Sequence, residues 1–396
     1  MSTCVWVANR TSVAVVSHQH AIPTDRRTRR ILAAVLIPAA VATLIAMIVL
    51  WPGRVRIADT GDGAGQRATG TVLAITGLTA TVQVDHGPVT TVDVPSGPGA
   101  PQLSTGDHVV LLHAPGAVPG GRDYTVVDHQ RAGPMIWLVV AAVLAVLAFG
   151  RRLGLTALAG LAASFAVLLF FVVPAILRGE SPLLVAVVGS AAIMFAALYL
   201  THGFTAHTSV AVAGTLASLV LTGLLGVGFT AALHLTGVAG DEDAYLSATR
   251  GGLDMRGLLL AGIVIGALGV LDDVTVTQAA TVAELADAGG ATRREIYRAA
   301  SRIGRAHVAS AVNTLVLAYA GASLPLLLLL AVDGRPVTEA LTGELIAQEV
   351  LRSAVGTIGL VASVPITTAL AALVVRNRSE ARRSSPPGPA PRHARS

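Results

Sequence analysis

GLLLAGIVIGALGVLDDVTVTQA, Gly257 to Ala279, is an apolar run of membrane length that carries two adjacent aspartates. Whether Asp272 and Asp273 stand in a membrane decides how the whole chain is read. Of its 396 residues, 53% are hydrophobic and 13% charged, against roughly 25% charged in a soluble domain. A spanning helix needs about 20 mostly apolar residues. Seven more runs qualify: 31–50, 134–149, 153–177, 182–200, 208–233, 307–332 and 353–375. The sequence therefore predicts an all-α polytopic membrane protein with about eight spans. The third and fifth runs are long enough to tilt or to break, at Pro174 or at Gly223, Gly226 and Gly228.

The formal charge of +5 comes from 28 basic residues, all of them arginine. In a soluble protein such a balance would suggest nucleic acid; here the placement reads as a topology signal. Arg26, Arg27, Arg29 and Arg30 precede the first span, and Arg151 and Arg152 separate the second from the third. Arg293, Arg294, Arg298, Arg302 and Arg305 lie between the sixth and seventh, and six more follow the last span from Arg376 onward. With eight spans all these clusters fall on one side, which predicts that both termini are cytoplasmic. No nucleic-acid partner is expected. The lone cysteine, Cys4, rules out an internal disulfide framework. No small-x-small cleavage site closely follows the first run, which therefore reads as an uncleaved anchor.

The chain divides into a polar N-terminus (1–30), a first span (31–51), a polar insert (52–132), a seven-helix domain (133–376) and a basic, proline-rich tail (377–396). Both ends have the composition of disordered segments. The insert holds five short β-branched runs, GTVLAI, ATVQVD, VTTVDV, HVVLLH and YTVVDH, punctuated by Gly, Pro and Asp. Five strands in so short a segment predict a small barrel of OB or SH3 type, extracytoplasmic by the same topology. PVTEALTGELIAQEVLR (336–352) has the apolar spacing of a short amphipathic helix. Residues 287–307 read as a basic helix on the cytoplasmic side, either a topology determinant touching anionic lipid or a binding site for a cytoplasmic partner. The sixth span also aligns with the eighth without gaps: Gly266, Gly269, Val274, Thr277 and Ala279 match Gly356, Gly359, Val364, Thr367 and Ala369. A parallel repeat and chance similarity in Gly-, Ala- and Val-rich sequence both account for that.

An aspartate at the centre of a span costs about 2.5–3.5 kcal/mol on insertion scales. Asp272 and Asp273 lie roughly 22 Å along their span, nearer one end. Successive helical positions point about 100° apart, so Asp273 shares a face with Thr277 and Asp272 with Thr275. Adjacent carboxylates in low dielectric repel, so the pair calls for a proton or a cationic partner. Asn313 and Thr314, early in the seventh span, are at the depth to meet them, with Arg305 and His307 at its entrance. Three readings stay open: a hydrated vestibule, an ion, proton or solute site, and a polar link between helices. Asn313 could equally be a helix-packing residue, and Gly262, Gly266 and Gly269 read as close-packing positions.

Other chemistry is not signalled. His202, His207, His18 and His20 lack ligand spacing with cysteine or carboxylate, so no metal or cofactor is expected. There is no G-x-S-x-G, no H-E-x-x-H and no Walker lysine. An aspartyl protease would need its aspartates on different spans. The chain is read as not an enzyme.

The stretches STGDHVVLL and YTVVDHQR, residues 257–285, 293–329 and EVLRSAVGTIGLVASVPITTALAA resemble the YibE/F family of bacterial multi-pass membrane proteins, over roughly residues 65–375. The resemblance implies a plasma-membrane protein with one insert domain and a polytopic core; it implies no chemistry. Two functions are carried forward. One is a permease-like protein moving an ion or small solute, with Asp272, Asp273, Thr275, Thr277 and Asn313 as its candidate residues. The other is a non-transporting scaffold or sensor whose β-domain binds an envelope protein. In either case the lipid bilayer is a partner.

Overall fold

The computed structural model describes residues 26–53, 66–114, 122–332 and 336–375. The expected disordered ends, 1–30 and 377–396, fall almost wholly outside these. The chain forms two compact units, Gly53–Leu158 and the remainder, Met1–Pro52 with Ala159–Ser396.

The smaller unit contains the insert. All five β-branched runs form strands: β1 (Gln66–Thr76), β2 (Thr79–Val84), β3 (Val89–Asp93), β4 (His108–His113) and β5 (Tyr124–His129). They make one antiparallel sheet in the order β3-β2-β1-β4-β5. Side chains alternate across a strand, so one face collects the apolar set: Val72, Ala80, Val82, Val84, Val92, Val109, Leu111 and Val126 form its core. Register shifts at Val72/Ala74 in β1 and Val110/Leu111 in β4 curl the sheet, as bulges do. Gly70 allows the closest approach, since a Cβ there would meet Gln83 O at 2.6 Å. The two edge strands are drawn together by Arg122, which donates to Asp93 at 2.5 Å. No hydrogen-bonded pairing of β3 with β5 occurs among the described residues, so the sheet is curled rather than closed by a ladder.

The helices are α1 (Arg26–Val49), α2 (Ala132–Val167), α3 (Val173–Leu177), α4 (Pro182–His202), α5 (Ala206–Ala232), α6 (Asp241–Thr249), α7 (Met255–Asp287), α8 (Arg293–Ala322), α9 (Leu324–Val332), α10 (Val337–Thr342) and α11 (Glu344–Val374). A π-helical turn, Leu168–Val172, joins α2 to α3. Side-chain caps set several starts. Thr205 accepts from Thr208 N for α5 and Asp254 from Gly257 N for α7, while Thr292 and Glu295 form a capping box for α8. Among the described residues six helices are long and apolar enough to cross a membrane, or seven if α8 and α9, bent by 61°, make one span.

The expectation of about eight spans differs from this count in 132–177, which forms one 46-residue helical run. Its backbone leaves helical geometry at Arg151 (φ 50°, ψ −121°), between the two predicted spans. Two other boundaries also differ. The basic helix expected over 287–307 and the following span are one continuous helix, α8, because no breaker separates them. The amphipathic helix expected over 336–352 is split, Glu344 onward being the first turns of α11.

In the larger unit α5, α7 and α11 pack together, with α7 the most buried of the long apolar helices. The interior they share is hydroxyl-rich: Thr208, Thr215, Ser218, Thr222, Thr275, Ser363, Thr367 and Thr368 are all buried. Most return their proton to a carbonyl one turn back, as Ser218 does to Gly214 O and Thr222 to Ser218 O, both at 2.8 Å. Helices α5 and α11 meet through one motif used twice. Gly214, Ser218 and Thr222 on α5 face Thr367, Ser363 and Gly359 on α11 in antiparallel register, so that each glycine makes room for the opposite threonine side chain. Small residues at such spacing let two backbones approach closely in the absence of water. Of the positions aligned from sequence, Val274 and Val364 are both buried, whereas Gly266, Gly269 and Thr277 on α7 are exposed and Gly356, Gly359 and Thr367 on α11 are buried.

Candidate functional site

Helix α7 has two sides. Leu271, Val274, Thr275, Gln278, Ala279 and Val282 are buried. Gly262, Gly266, Gly269, Asp273, Thr277 and Ala280, three or four residues apart, form an exposed stripe. The two aspartates fall either side of the boundary.

Asp272 is half-buried, and its Oδ1 atom is enclosed without a hydrogen-bond partner. Asp273 is 75% exposed and lies 4.0 Å, through Oδ2, from Nε2 of His307 on α8. That separation is too long for a hydrogen bond. His307 Nε2, itself enclosed, has no hydrogen-bond partner. A carboxylate pair and an imidazole thus share one level of the helix bundle, each with capacity unspent. The acids diverge by the helical angle, and no group of three or more His, Cys, Asp or Glu converges on a metal position among the described residues.

Thr275 is fully buried and turned to α5, its hydroxyl 2.6 Å from that of Thr215. It also donates at 3.1 Å to the main-chain carbonyl of Asp272, not to the carboxylate. Thr277 is exposed on the Asp273 stripe. Asn313 is exposed too and does not meet the acids. The contacts between α7 and α8 explain why. Gln278 reaches Ala300, Asp273 lies opposite His307, and Gly266 lies beside Tyr319. In that antiparallel register Asn313, six residues past His307, is about 9 Å further along the axis. A depth argument that starts the helix at His307 misses this offset, because α8 starts at Arg293. Two of the exposed glycines differ from the close-packing role read from sequence, since a Cβ at Gly262 or Gly269 would meet nothing within 4 Å among the described residues, whereas one at Gly266 would come 3.2 Å from the Tyr319 hydroxyl.

The residue that composition overlooks is Gln278. Its side chain is 3% exposed, and its Nε2 donates to Ala300 O of α8 at 2.9 Å and to Thr368 Oγ1 of α11 at 2.7 Å. Gly304 makes room for it, since a Cβ there would come 2.7 Å from Gln278 Oε1. This one amide ties three helices together within two turns of the acids, and so fixes where α8 presents His307. A glutamine inside an apolar run was the available signal; its neutral side chain stands out less than a charge.

Fold and site together define a class: a bundle of long apolar helices with a polar seam and one small β-unit. The chain belongs to the YibE/F-like protein family, whose model matches residues 138–377. That match begins after the five-stranded sheet, so the family relation rests on the helices and not on the insert. No curated protein and no solved structure matches the chain.

Proposed function

We propose that the chain is a permease-like integral membrane protein that moves an ion or small solute, with Asp272 and Asp273 as the charged groups its cargo or coupling ion meets. The observation that carries this reading is the enclosed, unpartnered Oδ1 of Asp272 beside an exposed Asp273 and an unpartnered imidazole. Acidic groups inside spans are expensive and are retained where they handle ions, protons or substrates. The exposed positions Gly262, Gly269 and Thr277 lie along the same helix, and at the two glycines there is room for water or cargo. Counting the run through Arg151 as two spans and the bent α8–α9 pair as one gives eight. With the arginine clusters read as cytoplasmic, that count supports a reading in which both termini lie in the cytoplasm of a bacterial cell and the β-unit lies outside its plasma membrane.

The test is neutralisation at constant shape. Asp272→Asn and Asp273→Asn should leave abundance in the membrane unchanged or slightly raised, because a costly charge is gone. Both should lose the phenotype that the wild-type gene complements in a deletion strain. Full complementation by both variants across the growth pH range would leave a hydrated vestibule and remove the case for transport.

One observation favours the second reading, a scaffold or sensor. The sheet carries exposed apolar residues on one unit: Leu73, Ile75, Leu78, Val89 and Val127, with Leu78 80% exposed at the β1–β2 turn. Such a surface suits an envelope protein partner. Loss of function on Leu78→Ser with the aspartate variants intact would favour that reading.

A further inference from the structure

We propose that the start of α8 and the part of α11 around Pro365 form a binding site for the headgroup of an anionic phospholipid. The proposal makes no use of Asp272 or Asp273. Between the two helices lies a cavity of about 520 Å³ lined by Tyr297, Arg298, Ser301, Arg302 and Arg305 on one wall. Val361, Val364 and Pro365 of α11 form the other, and Val308 of α8 also lines the cavity. Arg298, Arg302 and Arg305 repeat at helical spacing, so their guanidinium groups line one face over two turns, roughly 10 Å. Arg298 has Glu295 one turn away, but Arg302 and Arg305 form no ion pair with a described residue. Ser301 Oγ, on the same wall, is enclosed and without a hydrogen-bond partner.

The opposite wall is made by apolar side chains but carries one polar group. Pro365 has no N–H, so the carbonyl of Val361 on α11 loses its helical donor beside the cavity. The cavity thus offers donors and two guanidinium groups without an ion pair on the α8 wall, and on the α11 wall an apolar surface interrupted by one carbonyl that lacks its helical donor. Its position is fixed: Arg293 Nε donates to Val375 O at 3.3 Å, bringing the arginine-bearing end of α8 to the terminus of α11. This is one end of the apolar bundle, where a headgroup sits while its acyl chain follows hydrocarbon-facing side chains. Guanidinium groups bind phosphate oxygens bidentately, and a hydroxyl such as that of Ser301 adds a donor. A free inorganic phosphate would satisfy the arginines but leave Val308, Val361 and Val364 uncovered. The amphipathic walls point to the lipid.

The experiment is native mass spectrometry of the delipidated full chain titrated with phosphatidylglycerol, phosphatidylcholine or inorganic phosphate. Wild type should prefer phosphatidylglycerol over phosphatidylcholine by about tenfold or more, the equivalent of one charge-assisted hydrogen bond. Excess inorganic phosphate should displace it poorly. Arg302→Gln with Arg305→Gln should abolish the preference, Arg302→Lys should lower it in part, and Arg250→Gln, outside the cavity, should leave it unchanged. Equal binding of both lipids, or an unchanged preference in the folded double variant, overturns the proposal. Displacement by inorganic phosphate at equal concentration overturns the lipid source. If the double variant fails to fold, the wild-type lipid comparison and the Arg302→Lys variant decide.

Discussion

The seam between α5 and α11 makes a quantitative claim that substitution can refute. At Gly359 an added methyl group would overlap the Thr222 hydroxyl oxygen, while the next nearest atom, Thr222 Cβ, would stand 3.4 Å away in ordinary contact. Overpacking of a well-filled interior costs about 1–3 kcal/mol, against up to ~1 kcal/mol returned by the better helix propensity of alanine. Gly359→Ala should therefore destabilise. Thr222→Ala removes the overlapping oxygen, and its hydroxyl donates only to Ser218 O of its own helix, so no distant partner is orphaned. The double variant should return to within ~1 kcal/mol of wild type, giving a coupling of about 1–3 kcal/mol. Gly228→Ala, at a position on α5 where an added Cβ meets nothing within 4 Å, is the control and should be neutral or mildly stabilising. Thermal unfolding of the four proteins in mild detergent measures the cycle. If Gly359→Ala melts with wild type, or Thr222→Ala fails to rescue it, the contact between the two motifs is not the one described.

Topology can be read by a membrane-impermeant thiol reagent in a Cys4→Ser background. Ala288→Cys should react only after lysis and Leu78→Cys in intact cells; labelling of Ala288→Cys in intact cells would invert the orientation. Residues 53–131 expressed alone should give a β-rich circular dichroism spectrum, and a random-coil spectrum in folding buffer would mean that the sheet of five strands needs the rest of the chain. Asp128 has its carboxyl held below the ordinary value, chiefly by the hydrogen bond from Arg131 at 2.6 Å and then by that from His129 N. A depressed carboxyl stabilises the fold above its unfolded value and loses that contribution as pH falls through the folded one. The melting temperature of Asp128→Asn should therefore approach that of wild type as pH drops below about 4; a constant gap down to strong acid would rule the pair out.

The sheet was legible almost in full because its code is local. Alternation in ATVQVD and HVVLLH sets which face is buried, and the turns carry glycine where φ is positive, as at Gly77 and Gly106. The helices were legible as apolar runs, but hydropathy averages over a window and cannot mark ends. It therefore missed that α8 begins at Thr292, whose capping box with Glu295 is a side-chain signal, not an apolar one. That one boundary displaced Asn313 by about two turns and hid the pairing of Asp273 with His307. The motif Gly-x3-Ser-x3-Thr was visible twice in the sequence. Its meaning required knowing that α5 and α11 are antiparallel neighbours, a long-range fact that periodicity does not contain.

The aspartates show the same division more sharply. That a charge stands inside an apolar run is a property of the sequence, and so is the angle of about 100° between neighbours on a helix. Which neighbour is enclosed depends on how α7 is rotated against α5, α8 and α11. That rotation is set by the buried stripe of Leu271, Thr275 and Gln278, with the amide of Gln278 bonded to two other helices. Turning α7 by one residue would bring Asp273 to the place of Asp272 and drive Asp272 into the buried place of Leu271, and it would also carry Gln278 from its partners and strand a buried amide, at a cost of about 1–3 kcal/mol. The neutral side chain therefore selects which acid is enclosed and which faces His307. A site that looks like two equivalent charges in the sequence is, in the fold, one enclosed carboxyl and one accessible carboxyl held in register by a glutamine.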